Sequence, residues 1–202
     1  MKRQLLIGTN NPGKKKHWEE HLSDFELFSP DMFGINDVPE EGMMSLIENA
    51  KHKARFYMER SGILSFSNDV GFYIPDLNSL PGVAVRRWGG ELPDTVSDED
   101  WMEYFYSQIT SLEKEEIHAY FKWAIALAEI NGNIQVITEE IHGIIHMKYF
   151  ENKDFDKGYP IGNVFVPEGF NKVWSKLDNE ERKRRDAGLV EKFQMLLNSK
   201  II

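Results

Sequence analysis

A chain of 202 residues with 41% hydrophobic and 28% charged residues has the balance of a protein that buries a core, which excludes both a disordered segment and a membrane-embedded one. A formal net charge of −9 opposes binding to DNA or RNA, and the absence of cysteine removes disulfides, thiolate catalysis and cysteine-ligated metal. No apolar run approaches the ~18–20 residues needed to cross a bilayer, and Met1 to Ile7 is too soon polar for a secretion signal, so a cytoplasmic location is expected.

Gln4 to Gly8 is an apolar run of strand length, and a helix over Lys14 to Leu22 places Trp18 and Leu22 on one side. Thr9, Asn10, Asn11, Pro12 and Gly13 form a tight polar loop between them, so the chain opens as an α/β unit. Ser45 followed by Glu48 is a capping-box pattern, and Leu46, Ile47, Ala50, Ala54, Tyr57 and Met58 recur behind it at helical spacing. This predicts a helix over Ser45 to Ser61, ended by Gly62. Ile63 to Phe66 then reads as a buried strand, with Ser67, Asn68, Asp69, Val70 and Gly71 at its end.

Ser97 to Ile109 is predicted helical because Trp101, Phe105 and Ile109 repeat at intervals of four behind an acidic first turn. From His118 to Ala128 the set Ala119, Phe121, Trp123, Ile125 and Leu127 alternates as a strand with one buried face. Asn131, Gly132 and Asn133 turn it into a hairpin whose return runs to about His146. The polar stretch Tyr149 to Gly162 is too long for a simple connection and suits binding residues. Asp178 caps a last helix with an apolar stripe of Leu189, Val190, Phe193, Leu196 and Leu197.

Three groups of residues are able to carry chemistry. The loop Thr9 to Lys14 brings backbone N–H groups and a lysine to a helix start, which favours an anion; its spacing is not that of the phosphate-binding P-loop, and a capped surface turn is the plainer reading. Glu40 and Glu41, with Asp69 from a separate segment, supply oxygen ligands of the kind Mg²⁺ takes, although exposed paired glutamates are usually just solvated. Lys53, Arg86 and Arg87 suit phosphate oxygens, or simply solubilise the surface. His142 and His146 are read as structural or surface residues, and Trp101, Phe121 and Trp123 as core.

The order of these pieces resembles the inosine-triphosphate pyrophosphatase family. Thr9 to Lys14 is similar to that family's Thr-x-Asn-x-x-Lys loop, and Leu46 to Ala54 to its Phe-x-Glu-Asn-Ala-x-x-Lys-Ala helix, the most specific match. Asn68 to Gly71 occupies the place of Asp-Asp-Ser-Gly, and Leu80 to Val83 with Arg87 that of Ala-Pro-Gly-Val and Ser-Ala-Arg. The likeness weakens where the family reads its base. Gly162 stands for an aspartate, Arg182 for a lysine, and Asp186, Ala187 and Gly188 for a Ser-His-Arg triplet.

The resemblance implies an α/β fold, with an elongated mixed β-sheet flanked by helices, over residues 1–202 as one domain with two lobes around a central cleft. It also implies a homodimer and hydrolysis of a nucleoside triphosphate, a non-canonical purine nucleotide by family, to the monophosphate and pyrophosphate. Mg²⁺ or Mn²⁺ would sit on Asp69 and Glu41 or Glu40, with Asp69 directing the attacking water. Lys14, Lys53 and Arg87 would neutralise charge, while Thr9, Asn10, Asn11 and Val70 contact the triphosphate. Tyr159 would stack on the base and Arg182 reach its edge. Two rivals stay open: the same hydrolysis on a different base, and a nucleotide-binding protein that has lost catalysis.

Overall fold

The computed structural model describes residues 2–39, 45–151 and 158–199. Seven strands, β1 (Arg3–Ile7), β2 (Phe25–Phe28), β3 (Ser65–Ile74), β4 (Leu80–Gly82), β5 (Glu116–Ala128), β6 (Ile134–His146) and β7 (Phe165–Pro167), form one sheet in the order β2-β1-β3-β5-β6-β7, with β4 on β3. The sheet is mixed: β1 pairs in parallel with β2 and β3, whereas β3–β4 and β6–β7 are antiparallel. Helices α1 (Pro12–His21), α2 (Leu46–Ser61), α3 (Asp98–Thr110) and α4 (Asn179–Asn198) complete an α/β fold. Contacts divide the chain into two compact units, one of Met1–Val70, Trp123–Glu139 and Gly188–Ile202, the other of Gly71–Lys122 and Glu140–Ala187. No helix among the described residues is long and apolar enough to cross a membrane.

In the first unit, successive strand residues face opposite sides of the sheet. Leu5 and Ile7 of β1, Phe66 of β3, and Ile125 and Leu127 of β5 therefore meet Trp18 and Leu22 of the α1 segment and Leu189, Phe193 and Leu197 of α4 in one buried cluster. Trp18 sets its edge against Phe66 and Phe193 at 5.4 and 5.3 Å between ring centres. Leu6 points the other way and packs with Tyr57 of α2 and with Ile35. Each large side chain so buried contributes about 1.5–3 kcal/mol, which is what holds both helix layers on the sheet.

The helices and strands expected from the sequence are found among the described residues with ends shifted by a few residues, α1 starting at Pro12, and with two larger corrections. Ser45 caps α2 through its Oγ, which accepts from the Glu48 N–H at 3.3 Å, but the Glu48 carboxylate turns to Lys51 at 2.9 Å, so only half of a capping box forms. The reciprocal box lies instead at α4, where the Glu181 N–H donates to Asp178 and the Asp178 N–H donates back to Glu181, at 3.0 and 2.9 Å. The second correction concerns β3, which runs for 10 residues. Ser67, Asn68 and Asp69 thus lie inside the strand and not at its end.

In the second unit, Ser97 caps α3 by accepting from the Asp100 N–H at 3.0 Å, and Trp101, Phe105 and Ile109 are buried from it. Phe72 of β3, Phe121 of β5 and Phe165 of β7 form an aromatic cluster, with Phe121 4.6 Å from Phe72 and 5.1 Å from Phe165. Trp174 joins it at 4.9 Å from Phe121.

Candidate active site

The polar loop is placed by the close approach of β1 to β3. A Cβ on Gly8 would fall 2.5 Å from a ring carbon of Tyr57 and 3.0 Å from the Phe66 carbonyl oxygen, so no side chain fits there. The Gly8 N–H donates to the Phe66 carbonyl at 2.6 Å, and the Ser67 hydroxyl donates to the Gly8 carbonyl at 2.7 Å. The loop consequently leaves β1 beside Ser67, two residues before Asp69 on the neighbouring strand. Asn11 is the N-cap of α1: its Oδ1 accepts from the Gly13 and Lys14 N–H groups at 2.9 and 3.2 Å. The Thr9 hydroxyl oxygen accepts from the Asn11 N–H at 3.2 Å. Several loop amides are thus taken by the loop's own side chains, and the side chains carry the capacity to hold an anion, Lys14 above all.

Asp69 is 8% exposed and both carboxylate oxygens accept from α2. Lys53 donates from Nζ to Oδ1 at 2.8 Å and Asn49 from Nδ2 to Oδ2 at 3.0 Å. The two donors stand four residues apart, hence on one face of the helix. An ionised carboxylate has roughly four lone-pair sites, so each oxygen keeps capacity for another partner. Asn49 Oδ1 is buried and has no hydrogen-bond partner among the described residues. Asn68 lies on the opposite strand face, also buried, with Nδ2 unpaired among those residues.

Oxygen donors at Asp69 and an orphaned carbonyl at Asn49 fit a hard divalent cation, which needs few protein carboxylates when substrate phosphate supplies the rest. Among the described residues, Asp69 belongs to no group of three or more clustered carboxylates and imidazoles. Glu40 and Glu41, expected beside it as ligands, lie outside the described residues.

The remaining expected site residues belong to the second unit. Arg87 pairs through Nε with Asp94 at 3.3 Å on the surface. Tyr159 packs against Phe121 and Trp174 at 6.1 and 6.2 Å between centroids. It keeps 37% of its surface open while its hydroxyl lies among protein atoms, and that burial pushes the hydroxyl above the ordinary tyrosine range, with Arg185 pulling it back. Arg182, expected at the base edge, donates from Nε to the Leu177 carbonyl at 2.9 Å.

Thr9, Asn10 and Asn11 share the loop before α1 and Lys14 lies in the first turn of that helix, Lys53 and Asp69 are in contact, and Val70 follows Asp69 half-buried, all in the first unit. Three residues not singled out from the sequence neighbour the expected ones or their partners. Asn49 was detectable as the helical neighbour of Lys53. Trp174 and Arg185 carried no local signal: the Arg185 guanidinium lies 3.6 Å from the Trp174 ring centre and is bound to Asp186 by two hydrogen bonds of 2.7 Å. Arg185 Nη1 is buried with no hydrogen-bond partner among the described residues.

A family model described as the Ham1 family matches residues 5–187. The dITP/XTP pyrophosphatase of Legionella pneumophila is 34% identical over 148 residues, 72% of this chain and 74% of that protein. The dITP/XTP pyrophosphatase of Haemophilus influenzae is 29% identical over 188 residues, 91% of this chain and 92% of its own. A HAM1 protein from Coxiella burnetii shares the fold, with a TM-score of 0.79 at 22% identity over 98% of this chain and 99% of that one.

Proposed function

The chain belongs to the Ham1 family, and on that premise we propose that it is a nucleoside-triphosphate pyrophosphatase that cuts a non-canonical purine nucleotide between the alpha and beta phosphates. The observation that carries this reading is the buried Asp69, pinned by Lys53 and Asn49 on a strand beside the Thr9 to Lys14 loop. Asp69 orients a water and accepts its proton as the water oxygen bonds to the alpha phosphorus. The bond from that phosphorus to the bridging oxygen breaks, and pyrophosphate leaves.

Lys14, Lys53 and Arg87 balance the charge that gathers on the phosphate oxygens, and Thr9, Asn10 and Asn11 hold those oxygens by hydrogen bonds. Asp69, Asn49 and Glu41 or Glu40 would hold Mg²⁺ or Mn²⁺, which when bound screens the phosphate charge. A homodimer belongs to the same proposal and is tested by solution mass.

In the second unit the base-side groups are Tyr159 as a stacking ring and Arg182 or Arg185 as the reader of the edge. Arg185 spends Nε and Nη2 on Asp186, leaving Nη1. A guanidinium nitrogen only donates, so it favours a base carbonyl and opposes a base amino group. The test is incubation with inosine, xanthosine, adenosine, guanosine and pyrimidine triphosphates and Mg²⁺, scoring pyrophosphate against phosphate. Release of pyrophosphate from oxo-purine nucleotides ahead of adenosine triphosphate is expected. Turnover of none of them would remove the proposal, and preference for a pyrimidine would move it to the rival base.

A further inference from the structure

Asp98 is the first residue of α3, and an acid at that place ordinarily serves the helix dipole with its carboxylate in water. Here the side chain is only 11% exposed, and Ser97 already performs the capping. Both oxygens of Asp98 go to groups far away in the sequence. Oδ1 accepts from Arg86 Nη1, whose Nη2 also donates to the Val96 carbonyl. Oδ2 accepts from the backbone N–H of Gly158 at 2.6 Å, a contact across 60 residues. Oδ1 serves the ion pair with Arg86. Oδ2 clamps the N–H of Gly158, the residue immediately before Tyr159.

Gly158 takes φ +81, so the chain turns sharply between its anchored amide and the tyrosine. With the N–H of Gly158 fixed on Asp98, one residue separates a rigid helix terminus from the Tyr159 backbone. The ring is then held against Phe121 and Trp174. A ring that must stack on a base benefits from being set in advance, because a free one would lose rotational entropy on binding.

We infer that Asp98 is the positioning residue of base recognition: through its bond to the Gly158 amide, braced by Arg86, it fixes Tyr159 for stacking. This rests on the reading of Tyr159 as the base-stacking ring. Asp98 itself touches no substrate atom in this scheme. Its loss is felt in binding and not in the bond-breaking step.

The experiment compares wild type, Asp98→Ala, Asp98→Asn, Tyr159→Ala and Asp98→Ala/Tyr159→Ala with inosine triphosphate and Mg²⁺. Asp98→Ala is expected to raise KM roughly tenfold with kcat within about threefold, the loss of one charge-assisted hydrogen bond. Asp98→Asn covers the case in which the alanine variant fails to fold, since it keeps the shape but offers only one accepting oxygen. In the Tyr159→Ala background the same change is expected to leave KM where Tyr159→Ala put it, because positioning an absent ring has no effect. Hydrogen exchange should quicken in the peptide containing Gly158 and Tyr159 and stay unchanged along α3. An equal rise in KM in both backgrounds, or unaltered exchange at Gly158, overturns the inference. Failure of Tyr159→Ala itself to raise KM instead removes the stacking reading on which it rests.

Discussion

Lys53 of α2 donates to Asp69 of β3 across 2.8 Å, with the two side chains only 8% and 11% exposed. Neither charge would be tolerated alone at that depth, since a buried ion without a partner costs several kcal/mol. The pairing therefore does two things. It makes a buried carboxylate compatible with folding, and it holds that carboxylate in one orientation before any substrate arrives.

Replacing Asp69 by Asn separates these roles. Turnover should fall by roughly 10²–10⁴-fold if the carboxylate handles the proton of the attacking water. The variant should also unfold at lower urea, by about 3 kcal/mol, because Lys53 is left buried against a neutral amide. Steady-state pyrophosphate release and urea melts are the measurements. Full activity would sink the assigned role even if stability dropped.

The same pair marks the limit of what the sequence discloses. Helix α2 was legible from Ser45 and its apolar spacing, and β5 from the alternation of Ala119 to Leu127, because both signals are local. The length of β3 was not. Ser67, Asn68 and Asp69 look like the end of a strand until the partners of Ser67 and Asp69 are known, and these partners are Gly8, Asn49 and Lys53 from other segments. The box at Asp178 and Glu181 was half-legible, as a cap alone. The stacking of Arg185 on Trp174 was not legible either, because it depends on tertiary packing that no spacing rule encodes.

Gly8→Ala should disturb both stability and turnover. Its methyl would meet the Tyr57 ring and the Phe66 carbonyl, so β1 must shift away from β3 and carry the Thr9 to Lys14 loop with it. A cost of roughly 1–3 kcal/mol is expected, with weaker triphosphate binding measured as a raised KM. A variant indistinguishable from wild type in melting and KM would contradict the tight contact.

Asp178 supplies a pH-dependent contribution. Its carboxyl is held below the ordinary value of 3.8, first by the hydrogen bond from the Glu181 backbone N–H, against some desolvation and helped by Lys172. A carboxyl whose folded-state pKa is depressed stabilises the fold fully above its unfolded value, and that share is lost as pH falls through the folded one. Asp178→Ala should accordingly be less stable than wild type at neutral pH, with the difference closing in acid well below pH 3.8. Paired urea titrations across that range decide it. A gap that stays constant would mean that the carboxylate is not the stabilising group.

Asn49→Asp tests where a divalent cation binds. Asn49 now donates to Asp69 at 3.0 Å and keeps a buried Oδ1 with no partner among the described residues. The substitution removes the donor and sets a second carboxylate against the first, so without metal the variant should melt below wild type by like-charge repulsion. A cation between the two carboxylates reverses the sign of that interaction. Binding to the folded state adds about 2.7 kcal/mol when free metal is a hundredfold above Kd, and the gain grows as the site tightens. Thermal melts in EDTA and in millimolar Mg²⁺ should therefore show a larger Mg²⁺-induced rise for Asn49→Asp than for wild type. An equal rise, or none in either protein, would place the cation away from Asp69. The carboxylate would then act on the water without it.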